Sequence, residues 1–210
     1  MPKIVDIEQR RTELTDAAGR VIARAGIEAA TVREVAAEAG WTTGALTHYF
    51  ADKRELLLLT FQASLSQRRA RRPDRDTATS AERLRSSLEG VLPLDEDRRR
   101  HWMVTIACCS QAVGDQQLAD AQRAAYREFR DHVASLVAAI TSRDPDPERA
   151  EQLIAIADGV AIQALFDADS WPADRQLAQL ESLLRAFGSD LGIVPSTARA
   201  GLLPALGRRG

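Results

Sequence analysis

Apolar residues recur along this chain at intervals of three and four, and stretches of period-two alternation are missing, so the sequence predicts helices almost throughout. Leu14, Ala18, Val21, Ile22 and Ala25 form the inward stripe of a first helix over about 8–25, which Gly26 should end. Thr31 and Glu34 make a T-x-x-E capping box in front of a second stripe, Val32, Val35, Ala36 and Ala39. Asp52 can cap a helix that runs through Leu56, Leu57, Thr60 and Phe61 to the basic end QRRARRP. Residues 73–79 read as a linker, and T-x-x-E returns at Thr79 and Glu82 to open a helix ending near Pro93. Helices over about 96–113 and 116–142 follow, then one from Asp146-Pro147 to about Ala168 and one from Pro172 to Gly188. The expected fold is all-α with about nine helices, divided into units at 8–68 and 78–190, with 191–210 as a loose tail.

The most informative stretch is 31–50, TVREVAAEAGWTTGALTHYF. Two short helices joined by a tight turn need a small residue where they nearly touch, and Ala36 supplies it. Gly40 sits four residues later, at the turn, where a left-handed backbone is needed. Trp41, Leu46 and Tyr49 provide apolar contacts around the corner, and Thr42 can cap the second helix. This conjunction describes a helix-turn-helix, whose second helix lies in the major groove of DNA. The outward side chains would then be Thr42, Thr43, Ala45, Thr47 and His48, with Gly44 allowing close backbone approach. Threonine can donate or accept and offers a methyl group to thymine. The helix has no Arg, Asn or Gln for bidentate base reading, so part of the specificity is expected from DNA shape or ordered water.

The long preceding helix, T-V-R-E-V-A-x-x-A-G, T-T-G-A-L-x-x-Y-F and the following D-K-x-x-L resemble the DNA-binding domain of TetR-type transcriptional repressors. The similarity implies phosphate contacts from Tyr49 and Lys53, and backbone contacts from Thr31 and Arg33. Trp41, Thr43 and Thr47 depart from the commonest family pattern, which leaves the operator sequence open. Farther on, ERAEQLIAIADGVAIQALFD and HWMVTIACCSQAVGDQQLADAQRAAYREFRDHVASLV are similar to the BetI-type C-terminal domain of the same family. That resemblance implies a homodimer, a palindromic double-stranded DNA operator, and a small-molecule effector whose identity the sequence leaves open. Repression is the expected mode, with activation as the alternative.

Composition is consistent with this reading and excludes little by itself. Of 210 residues, 45% are hydrophobic and 28% charged, as in ordinary globular proteins. The net charge of −2 hides an asymmetry: residues 1–72 hold 12 Lys and Arg against 9 Asp and Glu, and the remainder holds 16 against 21. A basic N-terminal unit suits a nucleic-acid partner. No apolar run is long enough to span a bilayer, and the N-terminus lacks a signal-peptide pattern, so a cytoplasmic protein away from membranes is expected. Adjacent Cys108 and Cys109 point about 100° apart on a helix and cannot chelate together, so inert thiols are expected. Catalytic motifs, phosphate-cradling loops and metal-ligand spacings are lacking, so neither an enzyme nor a cofactor is expected. The rival to a regulator is a helical adaptor that keeps the corner only as architecture.

In the second unit, Leu153, Ile156, Val160, Ala164 and Leu165 form an apolar face widened by Ala157, Ala161 and Ala168. Gly159, Leu177, Leu180, Leu184 and Phe187 extend the candidate interface. Burial within one chain would explain the same pattern, whereas the family resemblance implies pairing with a second copy. An effector cavity would draw on Trp102, Met103, Ile106, Phe129, Val133, Gln163 and Phe166. Asp158, a charge among apolar neighbours, needs a partner; an arginine or a hydroxyl across the interface, or a cationic ligand, would serve.

Overall fold

A computed structural model of the chain describes residues 7–46, 49–74 and 76–191, and among them only helices form, with no strand. Positions 47, 48 and 192–210 lie outside the described residues, so the expectations for Thr47, His48 and most of the 191–210 tail go untested.

Side-chain caps set most of the helix starts, those at Thr31, Asp52, Thr79 and Asp146 as the sequence predicts. Helix α1 spans Ile7–Ala29 and turns at Gly26, whose φ of 80° is open to glycine without strain. Ala25, expected in the buried stripe, is exposed just before that turn. Helix α2, Val32–Ala39, starts as Thr31 Oγ1 accepts from Glu34 N–H at 3.2 Å. The reciprocal half of that capping box does not form among the described residues, because Thr31 N–H donates to the Ala29 carbonyl at 2.7 Å. Gly40, at φ 72°, closes α2, and Trp41 N–H returns to the Ala36 carbonyl at 2.8 Å. The described part of α3 is Thr43–Leu46, and α4 is Lys53–Ala70 with Asp52 as its cap. The full reciprocal box appears at Thr79 and Glu82, opening α5, Ser80–Glu89. Helices α6 (Glu96–Ala112), α7 (Gln116–Thr141) and α8 (Pro147–Phe166) begin at the caps Asp95, Asp115 and Asp146. Helix α9 covers Ala173–Leu191.

Two apolar cores result. The first joins Leu14, Ile22, Val35, Ala36, Leu46, Leu57 and Phe61, and it also takes in Val104 and Cys108 of α6 and Leu118 of α7. The second joins α5, through Leu84 and Leu88, to Trp102, Phe129, Val133, Leu153, Ala161, Leu180 and Leu184. The first core thus reaches past the expected linker at 73–79, and α6 and α7 contribute to both cores. A shift of α6 is felt on both sides, since close-packed interiors transmit displacement.

Candidate nucleic-acid interface and effector cavity

The corner at 31–50 holds the second helix on Leu46 and Phe50, 1% and 6% exposed, packed near Val35 and Ala36. Thr31, Arg33, Thr42, Thr43 and Gly44 are all exposed around it. Backbone is described at Ala45 but its side chain is not, and Thr47 and His48 lie outside the described residues. Tyr49 is half-buried. Its ring meets Trp41 edge-on at 5.9 Å, and its hydroxyl accepts from Arg10 Nη1 at 3.4 Å. The Arg10 guanidinium also lies 4.9 Å from the Trp41 ring centroid. Trp41, where the family commonly has valine, thus clamps α3 to α1 with help from Arg10, a residue that no sequence motif singled out. Lys53 reaches Glu28, its Nζ 3.1 Å from Oε2. This exposed pair is weak and can exchange its carboxylate for a phosphate. Arg20 and Arg24 hold Glu38 from α1 at 2.7 and 3.0 Å, and their hydrogen bonds keep its carboxyl below its ordinary range.

A cleft with about 420 Å³ of non-atom space, part of it open solvent, lies between α4, α6, α7 and α8. Trp102, Phe129 and Asp158 line it. Of the other candidates, Val133 is fully buried in the second core, and Met103 and Ile106 pack against that core. Gln163 and Phe166 point outward, because α8 buries Leu153, Ala157, Ala161 and Leu165 on its opposite side. Arg68, His101, Gln122 and Tyr126, none of them among the expected lining residues, also line the cavity. Asp158 receives a 2.7 Å hydrogen bond from the Tyr126 hydroxyl, so its partner is a hydroxyl of the same chain. Burial pushes the Asp158 carboxyl up, against that hydrogen bond and the Arg68 charge. Arg68 sits 4.4 Å from the Phe129 centroid, and burial, then Arg72, lowers it to about 10. It remains a cation at neutral pH. Burial, followed by Arg68 and Arg71, holds His101 down to about 3, so its ring is neutral. Gln122 Oε1 is buried and meets no donor among the described residues.

The basic run closes α4 as expected, with Arg68 and Arg69 in its last turn. Its side chains also bind other helices: Arg69 forks onto Glu128, Arg71 reaches Asp97 at 3.0 Å, and Arg68 and Arg72 turn toward α7. Cys108 is buried, with its thiol pushed up to about 12 by burial and then by Cys109 and Asp115. Cys109 is exposed, yet burial of its sulfur and then Asp158 raise it too, and neither is a reactive thiolate. No group of three or more His, Cys, Asp or Glu residues suited to a metal ion occurs among the described residues.

The candidate dimer residues separate into two sets. Leu153, Val160, Ala164, Leu180 and Leu184 are buried within the chain's own fold, and Leu177 and Phe187 are partly buried against it. Ile156 and Gly159 are exposed. They share an outward stripe with Ile162 and Phe166, and Ile156, Ile162 and Phe166 are 45%, 45% and 74% exposed. The apolar residues assigned to one face in the sequence thus occupy two, because α8 is apolar around most of its circumference and its core side takes the better-packed set.

An N-terminal helix-turn-helix joined through a shared helix to a cavity-bearing helical unit defines a DNA-binding transcriptional regulator. A family profile for bacterial regulatory proteins of the tetR family matches residues 14–59, and one for the BetI-type transcriptional repressor C-terminal domain matches 80–189. The chain belongs to the TetR family of transcriptional regulators, with a BetI-type C-terminal domain, and is not an enzyme. It is 32% identical over 174 residues to the HTH-type transcriptional regulator PksA of Bacillus subtilis, covering 80% of this chain and 84% of that protein. A transcriptional regulator from Rhodococcus sp. RHA1 superposes with a TM-score of 0.78 at 28% identity, covering 88% of this chain and 99% of the other. A regulator from Saccharomonospora viridis, solved in complex with choline, shares the fold at a TM-score of 0.77 and 24% identity, with 85% and 96% covered. Regulators of this family bind DNA operators and small-molecule effectors. No helix among the described residues is long and apolar enough to cross a membrane.

Proposed function

We propose that this chain is a homodimeric cytoplasmic repressor that leaves a palindromic operator when a small organic molecule bearing a cationic or hydrogen-bond-donating group enters the cavity. The observation that carries the effector reading is a pair of acceptors in one apolar-walled space. Gln122 Oε1 is buried without a donor, and Asp158 is served by Tyr126. Phe61, Leu65 and Trp102 supply the apolar walls. The choline held by the Saccharomonospora regulator supports an organic cation as the first effector to test. The Arg68 guanidinium, already over Phe129, must give way to such a cation or share the cavity with it.

Release follows from packing. Effector against Trp102 and Phe61 pushes on α6 and α4, and both helices also belong to the core beneath the helix-turn-helix. The effector favours a half-site spacing unlike that of the operator, which is the differential affinity that linkage requires. Thr31, Arg33, Tyr49 and Lys53 serve as backbone contacts, and Thr42, Thr43, Gly44, Ala45, Thr47 and His48 face the groove. The exposed stripe of Ile156, Gly159, Ile162 and Phe166 pairs with its copy and sets the half-site distance.

Titration with choline, following tryptophan fluorescence and release of bound operator, tests the effector reading. A saturable quench with parallel release, both lost in Asp158→Asn, is the expected result. Absence of any response to choline or larger quaternary amines rejects the cationic effector.

A further inference from the structure

A second recess, about 390 Å³ of non-atom space partly open to solvent, lies on the far side of Arg68 and Phe129 from the effector cavity. Its walls carry four guanidinium groups, Arg68, Arg71, Arg72 and Arg98, with the hydroxyls of Ser86 and Ser87 on α5. Carboxylates satisfy these cations only partly. Arg71 has Asp97 at 3.0 Å and Arg98 has Asp95 at 3.4 Å, both Asp residues lying at the start of α6. Arg72 comes no nearer than 4.0 Å to Glu128, whose two oxygens are already gripped by Arg69. Arg68 Nε and Arg72 Nη2 are buried and meet no hydrogen-bond acceptor among the described residues, and Arg98 Nε, also buried, faces Asp95 Oδ2 at 3.4 Å without forming a hydrogen bond.

Buried guanidinium donors without acceptors are costly, and four guanidinium groups converging on one concave space repel each other. An anion with several oxygens relieves both penalties. The planar fork of arginine matches phosphoryl and carboxylate oxygens in two-point contact. The serine hydroxyls can donate to the same oxygens, Ser87 being already fixed by a 3.0 Å contact with His132 Nε2. Burial, then Arg72 and Arg83, lowers that imidazole to about 4, so it adds no positive charge at neutral pH.

We propose that the recess between α4, α5 and α6 is an oxyanion site that takes a phosphate group, either free or carried on a small organic molecule. An anion there ties the C-terminal end of α4 to α5 and α6, at the opposite end of α4 from Lys53. It is separate from the effector cavity, since Arg71, Arg72, Arg98, Ser86 and Ser87 line this recess alone.

Calorimetric titration of the full chain with inorganic phosphate, against chloride at matched ionic strength, tests the proposal. Phenyl phosphate in a parallel arm distinguishes a carried phosphoryl group from the free ion. The expected result is saturable binding of one phosphate per chain, weakened about tenfold or more by Arg98→Gln, as for loss of one charge-assisted hydrogen bond. Arg71→Gln, at a more exposed position, should weaken it in the same direction and guards against misfolding of the first variant. Arg123→Gln, remote and paired with Asp120, should leave it unchanged. Absence of saturable binding above chloride, or equal affinity in wild type and both folded variants, overturns the site whatever choline does.

Discussion

Replacing Ile162 and Phe166 together by serine should dissolve the dimer and leave the single chain folded. Both side chains are outside the chain's own core, 45% and 74% exposed, so the isolated fold loses little when they are shortened. Full burial of such a side chain stabilises by about 1.5–3 kcal/mol, so the exposed fractions correspond to about 2 kcal/mol or more for each copy when a partner covers them. A two-fold interface loses that amount twice, about 4 kcal/mol, which raises the dissociation constant about a thousandfold. Sedimentation velocity across a concentration series, with thermal unfolding in parallel, measures both quantities. A contrasting variant is Leu153→Ala, at a position 0% exposed, which should lower stability by about 2–5 kcal/mol through cavity formation. If the serine double variant associates like the wild type, the α8 stripe is not the interface and the half-site argument built on it fails.

Further outcomes follow from the same geometry. Gly40→Ala should cost about 1 kcal/mol by backbone strain alone, since φ is 72° and a Cβ there meets nothing within 4 Å; chemical denaturation reads the loss. His101 and His132 are held at about 3 and about 4, below the ordinary 6.5, so the unfolded chain takes up protons first as pH falls. Stability contributed by their neutral forms is complete above pH 6.5 and declines below it, by up to about 1.4 kcal/mol per pH unit for His101 until its folded value is reached, and by less for half-buried His132, which solvent screens. Urea unfolding from pH 7 to 5 should show this slope, and a curve flat over that range contradicts the burial of the two rings. Lys53→Ala with Tyr49→Ala should weaken operator binding, with the dimer intact. The salt slope should fall by about 1 for each phosphate that the variant no longer neutralises, and an unchanged slope rules out a phosphate role for Lys53.

Helix starts were legible because their signals are local: Thr31, Asp52, Thr79 and Asp146 each accept a backbone N–H within three residues. The corner was legible for a related reason, as Ala36, Gly40 and Leu46 answer steric demands a few residues apart. The cavity was only partly legible. Trp102, Phe129 and Asp158 stood out by residue type, whereas Arg68, Gln122 and Tyr126 read as ordinary surface residues of amphipathic helices. Their inward placement depends on how α4, α7 and α8 are rotated against each other, which periodicity on one helix does not determine. Helix α8 shows this limit most directly. It carries apolar residues on two sides, and only the packing of Leu153 and Leu165 inward sends Ile156 and Phe166 outward. The roles of the arginine run at 68–72 were hidden for a similar reason, since its partners Asp97 and Glu128 lie far along the chain.

The central claim is that a dimer of this chain recognises DNA through the corner at 31–50. Selection of bound duplexes from fragmented genomic DNA by the purified full chain tests it most directly. The account predicts enrichment of a palindromic site whose half-sites are about one helical turn apart, or a multiple of that distance. Replacing Gly40 or Lys53 should abolish or weaken that enrichment. Failure to enrich any specific duplex, or enrichment indifferent to both substitutions, would contradict it.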